Sequence, residues 1–80
     1  MNMRQAFRDT IDLAEERGMP ALPGESYGLD HLIDMLDIIE EGNHSEAKLG
    51  RWLGWAQCAV VVSGVATLDE MKELNKRYAD

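Results

Sequence analysis

Asp30, Asp34, Asp37 and Glu41 follow one another at spacings of four, three and four residues. On a helix that spacing places all four carboxylates along one side. Such a row supports three readings. It can be a solvated face, at a cost of a few tenths of a kcal/mol for each like-charged i,i+4 pair. It can be a docking surface in which carboxylates stand in for the phosphates a basic protein would meet, with steered association as the gain. It can also hold a divalent metal, although the Glu-x-x-His pair that helical carboxylate sites use is missing. His31 adjoins Asp30 but turns to another side of the helix, and His44 belongs to the start of the following one. Each histidine reads as a surface residue rather than a ligand. Cys58 is the single cysteine and reads as a small buried apolar side chain, not a reactive thiol. Ser26, Ser45 and Ser63 suit a helix cap, a helix start and a groove better than nucleophiles. The chain carries no Gly-rich phosphate loop, nucleophile elbow or His-Glu metal motif. A non-catalytic protein without metal or cofactor is expected.

The charge pattern narrows the partners. Net charge is −7, and no Lys or Arg lies between Arg17 and Lys48. Glu25, Asp30, Asp34, Asp37, Glu40, Glu41 and Glu46 fill that window and account for the whole excess. Direct binding to a nucleic-acid backbone needs a basic footprint and is not expected. The opening MNMRQAFRDTIDLAEERG is too charged for a signal peptide. The longest apolar stretch, Trp52 to Ala66, is broken by Gln57 and Ser63 and falls short of the roughly 20 residues a membrane span needs. A cytoplasmic protein with no membrane partner is the expectation.

Four helices must position these groups. Met3, Phe7, Ile11 and Ala14, widened by Ala6, Thr10 and Leu13, predict a helix over 2–17 that ends at Gly18. MPALPG then reads as an interhelical loop. Leu29, Leu32, Ile33, Leu36 and Ile39, with Met35 at the stripe's edge, predict a second helix over 27–41 with Ser26 as its N-cap and Gly42 at its end. Asn43 and Glu46 resemble a capping box for a third over 44–63. Thr67 and Glu70 open a fourth over 68–78, with Leu68, Met71, Leu74 and Tyr78 toward the core. No segment alternates with period two, so the expectation is an all-α, single-domain (1–80), small four-helix bundle with the third helix at its centre.

The third helix is apolar on two faces. Leu49, Trp52, Leu53, Ala56, Ala59 and Val60 form an ordinary core stripe. Gly50, Gly54, Cys58 and Val61 lie opposite, flanked by Ala47, Trp55 and Val62. Each helical glycine costs about 1 kcal/mol relative to alanine, which suggests a close backbone neighbour. Either the chain's own helices cover both faces, or the second face meets a copy of itself. An 80-residue chain without disulfides has a small core, which favours the homodimer. Gly50, Gly54, Cys58 and Val61 would then form the contact, with Trp55 and Arg51 as rim or anchor residues.

Arg51, Trp52, Leu53, Gly54, Trp55 and Gln57, followed by Gly64, Val65, Thr67, Leu68 and Asp69, give the chain from Glu46 to Tyr78 a resemblance to a family. This run resembles small hypothetical proteins of tailed phages and prophages, which carry an R-W-L-G-aromatic-x-Q core and a G-V-x-[ST]-[LV]-[DE] helix restart. The resemblance covers about two-fifths of the chain and implies an origin, not an activity. By analogy, it implies a binding protein acting in the host cytoplasm through protein–protein contact, such as an acidic inhibitor of a nucleic-acid-handling or defence complex. Two alternatives stand beside it. One is an assembly accessory whose self-association is the function. The other is a small-ligand (nucleotide) sponge with its pocket at the dimer seam near Trp55 and Arg51.

Overall fold

The computed structural model describes residues 1–79, and every regular element in them is an α-helix. They are α1 (Met3–Glu16), α2 (Leu29–Glu41), α3 (Glu46–Val62) and α4 (Leu68–Lys76). Among the described residues no helix is long and apolar enough to cross a membrane.

The boundaries follow from local chemistry. The Asn2 side chain accepts the Gln5 N–H and opens α1. At the other end Gly18 takes φ +75°, its N–H bonds the Glu15 carbonyl and Met19 N–H bonds that of Ala14. These are the paired bonds of a Schellman stop, and Met19 folds back into the core to complete it. Thr67 and Glu70 exchange side-chain and backbone hydrogen bonds at 3.0 and 3.1 Å, the reciprocal box that starts α4.

Two caps differ from the sequence expectation. Ser26 does not cap α2; Gly28 occupies that position and offers no side chain. The first N–H groups of α2, from Leu29 and Asp30, donate instead to the loop carbonyls of Pro20 and Ala21 at 3.0 and 3.2 Å. The loop therefore lies against the helix start, and a Cβ at Gly28 would stand only 2.3 Å from the Ala21 oxygen. Asn43 likewise yields to Ser45, whose Oγ accepts the Lys48 N–H at 3.1 Å and begins α3 two residues later than expected. His44 consequently lies outside α3, and its Nε2 meets the Ile38 carbonyl at 2.9 Å. Arg4 of α1 donates to the carbonyls of Ile39 and Gly42. Donors from outside α2 thus satisfy the carbonyl end of a helix that has no Lys or Arg of its own.

α1, not α3, is the central element: α2, α3 and α4 all pack against it, and α3 also touches α2. Ala6, Phe7, Thr10, Ile11 and Ala14 of α1 are buried, facing Leu32, Met35 and Ile39 of α2, the expected core stripe of α3, and Met71 and Leu74 of α4. Leu68 was expected in this core but is 60% exposed, because the first residue after the Thr67 cap turns outward. A polar cluster pins three helices together. Gln57 and Asn75 exchange amide hydrogen bonds at 2.8 and 3.0 Å, and Gln57 also donates to Thr10 at 3.2 Å. Thr10 Oγ1 in turn donates to the Ala6 carbonyl. At the chain ends, Tyr78 O–H donates to Asp9 and Asn2 N–H to the Tyr78 carbonyl.

The assembled chain is a slab of 30 × 27 × 17 Å between Cα extremes. Two layers of helices with axes about 9 Å apart span about 14 Å, whereas three layers need about 23 Å. The thickness therefore matches two layers, and in two layers each helix keeps one face toward solvent.

Candidate functional surfaces

The acidic row lies where the spacing placed it. Asp30, Asp34, Asp37 and Glu41 are exposed on the side of α2 turned away from Leu32, Met35 and Ile39. Among the described residues no ion pair or side-chain hydrogen bond engages any of the four. Asp12, Glu15, Glu16, Glu25, Glu46 and Asp69 are likewise without an ion pair among the described residues, and four acids have one. Arg8 pairs with Glu40 at 2.8 Å, Arg17 with Glu70 at 2.6 Å, and Lys76 with Glu73 at 3.0 Å. Asp9 receives Gln5, Tyr78 and, at 3.8 Å, Arg77. The Arg17 guanidinium, helped by the Thr67 N–H, holds the Glu70 carboxyl down at about 2. The Asp9 carboxylate beside Tyr78 pushes that phenol up. Among the described residues, no three His, Cys, Asp or Glu side chains come together as metal ligands, so the metal reading of α2 has no geometry behind it.

The second apolar face of α3 is bare. Gly50, Arg51, Gly54, Trp55 and Cys58 are all exposed, and Val62 is 80% exposed. The reading in which the chain's own helices cover both faces is overturned, because two layers supply no helix for the outer one. Cys58 is correspondingly not the buried side chain expected of it. Val61 is half-buried against the core. Gly50 turns toward α1, where a Cβ would meet Met3 Sδ at an ordinary 3.6 Å. At Gly54 an added Cβ would meet nothing within 4 Å, so no contact inside the chain requires a glycine there. Trp55 is held in place by its indole N–H, which donates to the Ser26 carbonyl at 3.0 Å.

Sequence reasoning missed the breadth of this face. Leu22 and Tyr27 of the α1–α2 loop and Leu68 of α4 join Trp55, Cys58 and Val62 around a series of apolar hollows. Leu22 takes a positive φ of 45°, unusual for a leucine, which marks the sharp turn of the loop across the start of α2. Nothing in the hydrophobic pattern could signal it.

A further hollow of about 370 Å³ lies between α2 and α3, lined by His31, Asp34, Met35, Ile38, Trp52 and Trp55. Trp55 lines this hollow and Arg51 does not; it is a hollow of the single chain, distinct from a pocket at a dimer seam. Lys48 sits with its amine 4.6 Å from the Trp52 ring centre and does not line the hollow. An apolar hollow with a carboxylate and no Lys or Arg is a poor host for phosphate-bearing ligands.

No family model, curated protein or solved structure matches this chain.

Proposed function

We propose that this chain is a non-catalytic binding module that acts by protein–protein contact, with the carboxylate stripe of α2 as its face toward a basic partner. The observation that carries this reading is the row itself: Asp30, Asp34, Asp37 and Glu41 stand exposed on one side of α2, and no Lys or Arg among the described residues pairs with any of them. A rigid helix with unpartnered carboxylates at a regular rise offers a basic groove what a phosphate backbone would offer. With the resemblance of Glu46–Tyr78 to small tailed-phage proteins, the reading extends to a phage-derived inhibitor of a host nucleic-acid-handling or defence complex, acting in the host cytoplasm.

Charge reversal at Asp34 and Asp37 tests it. The double variant Asp34→Lys, Asp37→Lys keeps its melting temperature within a few degrees, because both positions are exposed and unpaired. It loses the basic protein that the unaltered chain recovers from host lysate at low salt. Equal recovery by both forms, or recovery that ignores salt, would leave the stripe as a solvated face.

The bare outer face of α3 favours a second reading, an assembly accessory in which self-association is the function. In that case Asp34→Lys, Asp37→Lys is silent in every interaction assay, and changes on α3 abolish activity.

A further inference from the structure

We infer that the outer face of α3 is a two-fold interface between two copies of this chain, antiparallel at α3, with Cys58 facing Cys58 of the second copy across the axis. The inference stands on a different surface from the α2 stripe, so either can fail without the other.

The extent of the surface comes first. Leu22 is 41% exposed, Tyr27 51%, Trp55 46%, Val62 80% and Leu68 60%. All five border hollows that share Val62 or Cys58, so they form one patch. At roughly 200 Å² for a fully exposed large side chain, these fractions amount to on the order of 500 Å² of apolar surface. A standard interface takes about 800 Å² from each partner, and about 65% of a homodimer interface is apolar, or roughly 500 Å². The patch is therefore the size of one half of a small dimer interface. Arg51 is the one charged residue of α3 on its outer side, which leaves little for an oppositely charged partner to recognise.

Shape then selects the arrangement. Val62 is a knob, and one turn and two turns before it lie Cys58 and Gly54, where the surface is low. Arg51, Gly54, Trp55 and Cys58 stand at i, i+3, i+4 and i+7, the four corners of a hole on a helix surface. A two-fold axis perpendicular to α3 and passing at Cys58 carries Val62 to the height of Gly54 on the other copy. Each Val62 then enters the partner's hole, whose floor is open because Gly54 has no side chain and whose wall is Trp55, fixed by its bond to Ser26. An axis parallel to α3 would instead press the two Val62 knobs together and leave both holes empty. The antiparallel arrangement gives Gly54 the role that nothing within the single chain supplies. Helix axes about 8–10 Å apart bring facing Cα atoms to about 4–5 Å, within reach of a disulfide.

Sedimentation equilibrium from 1 to 100 µM, with diamide cross-linking, tests the arrangement. The expected mass is twice the 9.0 kDa of one chain. Diamide should yield a Cys58–Cys58 disulfide dimer: two thiols lose two hydrogens, the S–S bond forms, and the azo group is reduced to the hydrazine. Gly54→Leu should raise the dissociation constant at least about 30-fold, a hot-spot-sized loss, while its helical circular dichroism stays intact because the single chain has space at this position. Cys58→Ser should remain dimeric and lose only the cross-link. A one-chain mass at 100 µM overturns the inference, and binding to phosphatidylcholine vesicles at that mass would assign the face to lipid. A dimer that survives Gly54→Leu, or that gives no cross-link, overturns it as well, since another face or another axis would then be in use.

Discussion

Replacing Gly28 with alanine tests how the α1–α2 loop caps α2. The new Cβ would stand 2.3 Å from the Ala21 carbonyl oxygen, 2.7 Å from Leu22 Cβ and 3.0 Å from the Leu22 oxygen. Carbon contacts settle near 3.5–4.0 Å, so the loop must retreat by about 1 Å. None of the three obstructing atoms belongs to a side-chain end that can swing aside. Retreat lengthens the bonds from Leu29 and Asp30 N–H to Pro20 and Ala21, which stand at 3.0 and 3.2 Å and replace a side-chain cap. Two weakened hydrogen bonds cost about 2 kcal/mol and residual overpacking about 1–2 kcal/mol. The reduced freedom of the unfolded chain returns about 0.5–1 kcal/mol. The expected net loss is about 3 kcal/mol, against a total stability of roughly 4–12 kcal/mol for a chain of this length. Urea unfolding followed at 222 nm reads it directly. Tryptophan emission reports the same event locally, because Trp55 is bonded to Ser26 of the displaced loop. A loss below about 1 kcal/mol would show that the loop does not cap α2 in this way. Gly54→Ala is the matched control: with open space at a helical position it should raise stability by about 1 kcal/mol, measured at concentrations that keep the chain single.

Gln57→Leu should destabilise by about 2 kcal/mol, because it leaves the Asn75 amide without its partner. A double-mutant cycle with Asn75→Leu should return a coupling of about 1 kcal/mol, and no coupling would mean the amide pair is not formed in solution. Phe7→Ala, at a fully buried position of the central helix, should cost about 3–5 kcal/mol in urea unfolding. Glu70 has a folded pKa of about 2 against an ordinary 4.5, so the unfolded state takes up its proton first. Its contribution is full above 4.5 and is lost as pH falls from there toward 2. Glu70→Gln should flatten that part of the acid-unfolding curve, and an unchanged slope would count against the Arg17 pairing.

The all-α fold and its four helices were legible because hydrophobic period and helix caps act locally. Phe7, Ile11, Leu32, Leu53, Val60 and Met71 fall where the 3.6-residue stripe puts them, and Thr67 with Glu70 marks the start of α4. What was not legible depends on tertiary neighbours. Gly28 rather than Ser26 begins α2 because the Pro20 and Ala21 carbonyls of the loop satisfy its first N–H groups, from Leu29 and Asp30. The Gln57–Asn75–Thr10 cluster draws on three helices, and no single segment announces it. The apolar second face of α3 suggested a central helix, but α1, with Ala6 and Ala14 allowing close approach, took that place. The acidic stripe was read correctly as a face. Its lack of cationic partners needed the positions of Arg8 and Arg17, which go elsewhere.

Everything proposed for α3 turns on whether its outer face is covered in solution, and the rate of Cys58 alkylation measures that cover. The thiol is exposed on the single chain. With a bulky maleimide in fixed excess over protein, labelling should be fast at nanomolar chain concentration and slow at least tenfold near 100 µM, following RT ln(1 + [L]/Kd) for the second copy. The same fast rate at both concentrations would mean that no second chain covers Cys58, and the interface would have to be given up.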